Sequence, residues 1–117
     1  AKKNKDLNVY GEGNQVRSFC FVDDAVEGLI KIIESNLKND IFNIGNDKEP
    51  ISVIGLAKKI VKILKSKSKI KKIPFEMSDR KKDREIFKRV PDLKKIRSLT
   101  GYKPKKTLLH GIKLISK

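Results

Sequence analysis

Tryptophan is absent, cysteine and methionine occur once each, and aromatic residues make up only 6% of the 117 positions. A single thiol, Cys20, closes no internal disulfide and cannot by itself supply the ligands of a zinc site. No apolar run approaches the ~18 residues that would read as a membrane span, so no membrane partner is expected. The first residues, Ala1-Lys2-Lys3-Asn4-Lys5, lack the apolar centre of an export signal, and no initiating Met precedes them. The expectation is a cytoplasmic chain that forms part of a longer product. Its length suits one small domain.

Acidic residues are also scarce, 14 against 29 basic ones, which leaves a net charge of +15. The excess is lysine: 24 Lys stand against five Arg, at 17, 80, 84, 89 and 97. Proteins that read phosphates by geometry favour arginine, whose planar fork binds bidentately. Lys, Ile and Asn, all with AT-rich codons, fill 46 of the 117 positions, so base composition can account for much of the basicity. A basic nucleic-acid-binding module is the alternative that charge alone supports. Dispersed lysines, few aromatics and no nucleic-acid motif make nucleic acid an unexpected partner.

Strand and helix patterns alternate, and the fold class is α/β. Leu7–Tyr10 is a short strand ending at the loop Gly11-Glu12-Gly13-Asn14. Phe19–Val22 reads as a second strand, apolar on both faces and so buried from both sides. Asp23 or Asp24 then caps a helix with Ala25, Val26, Leu29, Ile30, Ile32 and Ile33 on its apolar face. Ile41–Ile44 is a third strand, closed by Gly45-Asn46-Asp47. Ser52 opens a helix with Val53, Leu56, Ile60, Ile63 and Leu64 at helical spacing. Ile70–Ile73 is a weak strand stopped by Pro74, and 76–88 is a charged loop. Pro91 suits the first turn of a helix carrying Leu93, Ile96 and Leu99, which Gly101 ends. Thr107 caps the last helix, with Leu108, Leu109, Ile112 and Ile115.

Three isolated signals fail on context. Gly11-Glu12-Gly13 starts like a dinucleotide fingerprint, but position 16 is Val and a strand follows where a helix is required. Tyr102 and Lys106 have Tyr-x-x-x-Lys spacing, yet Pro104 between them breaks the helix that would align them. His110 has no metal-ligating neighbour at helical spacing. No catalytic, cofactor-binding or metal-binding residue is assigned to this chain.

The more specific constellation runs from Val9 to Asp24. Glycines around an acidic residue let backbone approach a ligand, and Gln15 and Arg17, two apart on an extended segment, share one face. The run resembles the V-Y-G-x-G-x-Q-x-R-x-F-x-x-V-x-D segment of the extended short-chain dehydrogenases, the NAD-dependent nucleotide-sugar epimerases, dehydratases and decarboxylases. Phe42-Asn43-Ile44-Gly45, the Ile51–Ala57 helix opening, and Arg89-Val90-Pro91-Asp92-Leu93 with Gly101-Tyr102-Lys103-Pro104 and Leu108–Gly111 match further family motifs in order.

The resemblance implies a small, C-terminal substrate-binding portion, 1–117, with short strands and three to four helices and with the N-terminal Rossmann portion absent. Residues 18–45 would pack on that missing NAD-binding domain, which would bind the NAD cofactor. Arg17 and Arg89 would clamp the diphosphate of a UDP- or other nucleotide-sugar, Tyr10 with the backbone beside it would meet the nucleobase, Gln15 would shape that loop or contact the ligand, and Ser52 is a further candidate for substrate contact that its place as an N-cap also explains. Arg84 is a reserve cation, and Asp24 is structural. The parent reaction would begin with hydride transfer from the sugar C4 to NAD; the isolated chain would be inactive. An exposed apolar surface around Phe19, Phe21, Val26 and Ile30 is expected, covered by the missing domain or in a homodimer.

Overall fold

The computed structural model describes residues 1–77 and 85–117 and is α/β. In chain order its elements are β1 (Leu7–Tyr10), β2 (Val16–Arg17), α1 (Val22–Glu34), β3 (Ile51–Ser52), α2 (Val53–Ile63), β4 (Ile70–Ile73), a 3-10 turn at Phe75–Met77, β5 (Lys88–Arg89), α3 (Lys94–Thr100) and α4 (Leu108–Ile115). The chain divides into two compact units: residues 1–17, 51–89 and 112–117, and residues 18–50 and 90–111.

In the first unit β1 pairs parallel with β4, Leu7 opposite Ile70 and Tyr10 opposite Ile73. The helix α2 lies between them in sequence and packs on β1. Alternation decides which side chains go inside: Val9 is buried between exposed Asn8 and Tyr10. Ala57, Phe75 and Ile112 complete this small apolar interior. The start of α2 is fixed as its sequence predicts, with Ser52 at the N-cap and its hydroxyl accepting from the Gly55 N–H at 3.1 Å. A second, three-stranded ribbon has the order β3-β2-β5. In it β2 runs antiparallel to β3 and parallel to β5.

The second unit is built on Leu93, Ile96 and the fully buried Tyr102, with Ile32, Phe42 and Ile44 against them. The Tyr102 hydroxyl donates to the Gly45 carbonyl at 2.8 Å, which satisfies both buried groups. Gly101 ends α3 in the left-handed region at φ 68°, as its place after the last apolar position predicts. Thr107 caps α4, its hydroxyl accepting from the His110 N–H at 3.1 Å.

Several expectations need correction. Phe19–Phe21 has no ladder partner among the described residues, and Val22 already belongs to α1, so the expected strand there is absent. Ile41–Ile44 is likewise not a strand: Phe42 and Ile44 are apolar because they pack on the Tyr102 core. Neither Asp23 nor Asp24 caps α1, whose N-cap is Phe21 without a side-chain bond. Asp24 is buried instead, its two carboxylate oxygens accepting from the Lys105 and Lys106 N–H groups at 3.0 and 2.9 Å. Pro91 lies ahead of α3, and Asp92 holds the Lys94 N–H at 2.8 Å. Lys88, expected at the end of a loop, begins β5; the rest of that loop and Arg84 fall largely outside the described residues.

Candidate functional site

Tyr10, Gln15, Arg17, Ser52 and Arg89 all lie in the first unit, four of them on strands of its two sheets. The Gly11–Gln15 loop joins the sheets. Gly11 and Gly13 sit at φ 62° and 69°, backbone that side chains resist. At Gly13 space is excluded as well: a Cβ there would lie 2.6 Å from Val9 Cγ1 and 3.0 Å from the Ile54 nitrogen. The loop is pinned to the start of α2, with Ile54 N–H donating to the Gly13 carbonyl at 2.9 Å and Val53 N–H to the Gln15 carbonyl at 3.0 Å.

The ribbon then places two arginines together. Parallel pairing sets Val16 opposite Lys88 and Arg17 opposite Arg89, so the two guanidinium-bearing residues are direct cross-strand neighbours on one face. Arg17 is partly buried and held on three of its five N–H donors: Nη2 donates to Glu85 Oε1 at 2.5 Å, and Nη1 donates to the Ile86 and Val16 carbonyls at 2.7 and 2.9 Å. The Glu85 carboxylate is 8% exposed, so this pair is largely withdrawn from water. Glu12, the nearby acid in sequence, pairs with Lys72. Arg89 is exposed and, among the described residues, holds no ion pair.

A cleft of about 370 Å³ lies between the Gly11–Gln15 loop and Phe75, Glu76, Glu85 and Phe87, so that the ion-pair partner of Arg17 forms part of its wall. Phe87 offers an exposed ring and Phe75 a largely buried one, and the carboxylates of the lining can accept hydrogen bonds from hydroxyls. Gln15 Oε1, in the same lining, is buried and has no hydrogen-bond partner among the described residues. Tyr10 remains 43% exposed at the end of β1. The Ser52 hydroxyl is occupied as an N-cap. Phe75, Phe87 and Glu85 carried no signal in the sequence, because each enters the lining through pairing with strands far away in the chain.

A family model described as "NAD dependent epimerase/dehydratase family" matches residues 1–45. The chain is 37% identical over all 117 residues to UDP-glucuronic acid decarboxylase 4 of Arabidopsis thaliana, covering 25% of that protein. It is 35% identical over 113 residues to the UDP-N-acetyl-alpha-D-glucosaminuronate decarboxylase of Bacillus cytotoxicus, covering 97% of this chain and 35% of that protein. The UDP-glucose 4-epimerase of Thermotoga maritima, solved with UDP-glucose, superposes with a TM-score of 0.84 at 28% identity, over 98% of this chain and 35% of that one. This chain belongs to the NAD-dependent epimerase/dehydratase family.

It spans about a quarter to a third of the length of such relatives. Within this member of the family, the described residues do not fit a dinucleotide. The Gly11–Gly13 loop leads into β2 and not into a helix, and the first N–H groups of α2, which do reach it, are taken by the Gly13 and Gln15 carbonyls. Tyr102 is in the core with its hydroxyl committed to Gly45, and Lys106 lies outside any helix. Among the described residues no group of His, Cys, Asp and Glu could hold a metal ion, and no helix is long and apolar enough to cross a membrane. His110 is exposed. Burial raises the Cys20 thiol above its ordinary range, the reverse of an activated nucleophile.

Proposed function

We propose that this chain is the nucleotide-sugar-binding portion of an NAD-dependent epimerase, dehydratase or decarboxylase, silent in catalysis by itself. The observation that carries the reading is the Arg17–Arg89 register: two of only five arginines, 72 positions apart, are adjacent on β2 and β5. Two guanidinium groups on one face suit a diphosphate, whose oxygens accept paired N–H donors. The cleft walled in part by Glu85 would seat the nucleoside, with Phe75 or Phe87 against the base and Gln15 Oε1, unpartnered among the described residues, available to a donor on the ligand; Tyr10 would meet the base from the end of β1. Glu85 holds Arg17 until a phosphate shares or replaces it. Ser52 contributes through α2, whose start it fixes.

The α1 face supports the second half of the reading. Val22, Val26, Leu29, Ile30 and Ile33 are all at least 46% exposed, an apolar stripe that the proposal covers with the NAD-binding portion. With Cys20 as its one thiol, the proposal includes a reducing, cytoplasmic setting.

The test is calorimetric titration with UDP-glucuronate, in the full-length protein that carries this chain. Arg17→Lys and Arg89→Lys keep the charge and lose the fork. Each is expected to weaken binding about tenfold to a hundredfold, the equivalent of one charge-assisted hydrogen bond. Affinities within twofold of the parent protein for both variants would remove the clamp.

A further inference from the structure

The positive charge is not shared evenly by the two units. Residues 1–17, 51–89 and 112–117 carry 20 Lys and Arg against 6 Asp and Glu, whereas residues 18–50 and 90–111 carry 9 against 8. Base composition alone would load lysine onto both units, which are of similar length. The excess belongs to one of them.

Within that unit the start of the chain is fastened alongside the segment that follows α2. Ser66 Oγ donates to the Ala1 carbonyl at 2.7 Å, Lys67 N–H to Asn4 Oδ1 at 3.0 Å, and Lys69 N–H to Asp6 Oδ1 at 3.1 Å. Leu7 N–H then donates to the Lys69 carbonyl at 2.9 Å as β1 and β4 begin. This fastening sets exposed Lys3 and Lys5 beside exposed Lys65, Lys67 and Lys69. Buried Ser68 lies between Lys67 and Lys69, which turns both ammonium groups outward. Asp6 is the one acid in residues 1–10 and 65–73, and Lys71 holds its carboxylate at 2.7 Å. Among the described residues these five lysines form no ion pair of their own.

We propose that this lysine corner is a docking surface for the phosphate backbone of nucleic acid, separate from the Arg17–Arg89 pair. Its composition selects the partner class. Residues 1–6 and 65–69 are Lys, Asn, Ser and Asp apart from Ala1, so nothing there inserts into a bilayer or anchors in a protein pocket. Without arginine or an aromatic ring it neither reads base edges nor stacks on bases, so binding is sequence-blind and driven by counterion release. In sequence Lys3 and Lys5 lie some sixty positions from the run Lys65–Lys69; folding brings the two together.

The test is fluorescence anisotropy of the intact chain with a labelled mixed-sequence single-stranded DNA across a salt series. The Lys3, Lys5, Lys67 and Lys69→Gln variant is compared with a Lys38, Lys94, Lys103 and Lys105→Gln variant, which loses the same charge from the other unit. The first is expected to lower the log–log salt slope by about 3, at about 0.7 per lost phosphate contact, and to weaken low-salt binding at least tenfold. The second, which removes lysines outside the corner, is expected to shift affinity by no more than about threefold. Lys3 and Lys5→Gln alone, ahead of β1, should give half the slope change with the sheet intact. Equal weakening by both quadruple variants, no binding by the parent chain, or tighter binding to phosphatidylserine vesicles or polyglutamate than to DNA would overturn the proposal.

Discussion

Asp24 offers a sharp test of how the second unit is held together. Its residue is 2% exposed, and its two oxygens accept from the backbone N–H groups of Lys105 and Lys106 at 3.0 and 2.9 Å. These bonds join the first turn of α1 to the segment between Tyr102 and α4, 81 and 82 positions away. Asp24→Asn preserves shape but turns one acceptor into a donor that faces an N–H. One charge-assisted hydrogen bond is lost, about 1.5–3 kcal/mol, and the first-turn charge at the helix N-terminus, about 0.3–1 kcal/mol, goes with it. The expected destabilisation is therefore about 2–4 kcal/mol, a large share of the ~5–15 kcal/mol that holds a domain of this size. Asp23→Asn is the control, since Asp23 is exposed in the same turn and loses the same charge. Urea unfolding followed by circular dichroism gives the stabilities, and amide hydrogen exchange at Lys105 and Lys106 gives the local readout. If Asp24→Asn is no more destabilising than Asp23→Asn, or those two amides keep their protection, the carboxylate is not the clasp.

At the functional loop, Gly13→Ala combines φ 69° with a Cβ placed 2.6 Å from Val9 Cγ1. A loss of about 2–4 kcal/mol is expected, read as a lower urea midpoint at unchanged slope. The Arg97 guanidinium bonds the Asp47 carboxylate at 2.7 Å and holds its pKa below the usual 3.8. A carboxyl depressed in the folded state gives stability that is present above pH 3.8 and lost as pH falls through the lower folded value. Arg97→Gln should flatten the acid limb of stability below about pH 4 and leave the curve above it parallel to the parent's. Burial raises the Cys20 thiol, so iodoacetamide at pH 8 should alkylate it more slowly than free cysteine. A faster reaction would mean that burial does not govern this thiol.

The elements that the sequence made legible are those whose signal is local. Ser52 before Val53, Leu56, Ile60 and Ile63 specifies both the cap and the apolar face of α2, and Gly101 after Leu99 specifies the left-handed end of α3. The errors have one cause. Phe19–Val22 and Ile41–Ile44 are short apolar runs, and such a run reports burial without saying which backbone, if any, pairs with it. Asp24 was misassigned for a related reason: an acid at the start of a helix reads as a cap, and the N–H groups that claim it come from Lys105 and Lys106.

The ribbon that carries the candidate site shows the same limit from the other side. β2, β3 and β5 are two residues each, too short for any period, and nothing in Val16-Arg17, Ile51-Ser52 or Lys88-Arg89 announces a strand alone. In the sequence only the resemblance to family motifs pairs Arg17 with Arg89. The fold then supplied what neither composition nor spacing holds: the register that makes them neighbours, and Glu85, which occupies Arg17. A largely buried carboxylate on a guanidinium is costly to strip away and inexpensive to exchange for another anion. In the proposed clamp Glu85 would keep Arg17 in place for an incoming phosphate, and Arg89, exposed and without an ion pair among the described residues, would close on it. If that exchange operates, Glu85→Gln should tighten nucleotide-diphosphate binding by removing the competing anion; weaker binding would instead make Glu85 a support that orients Arg17.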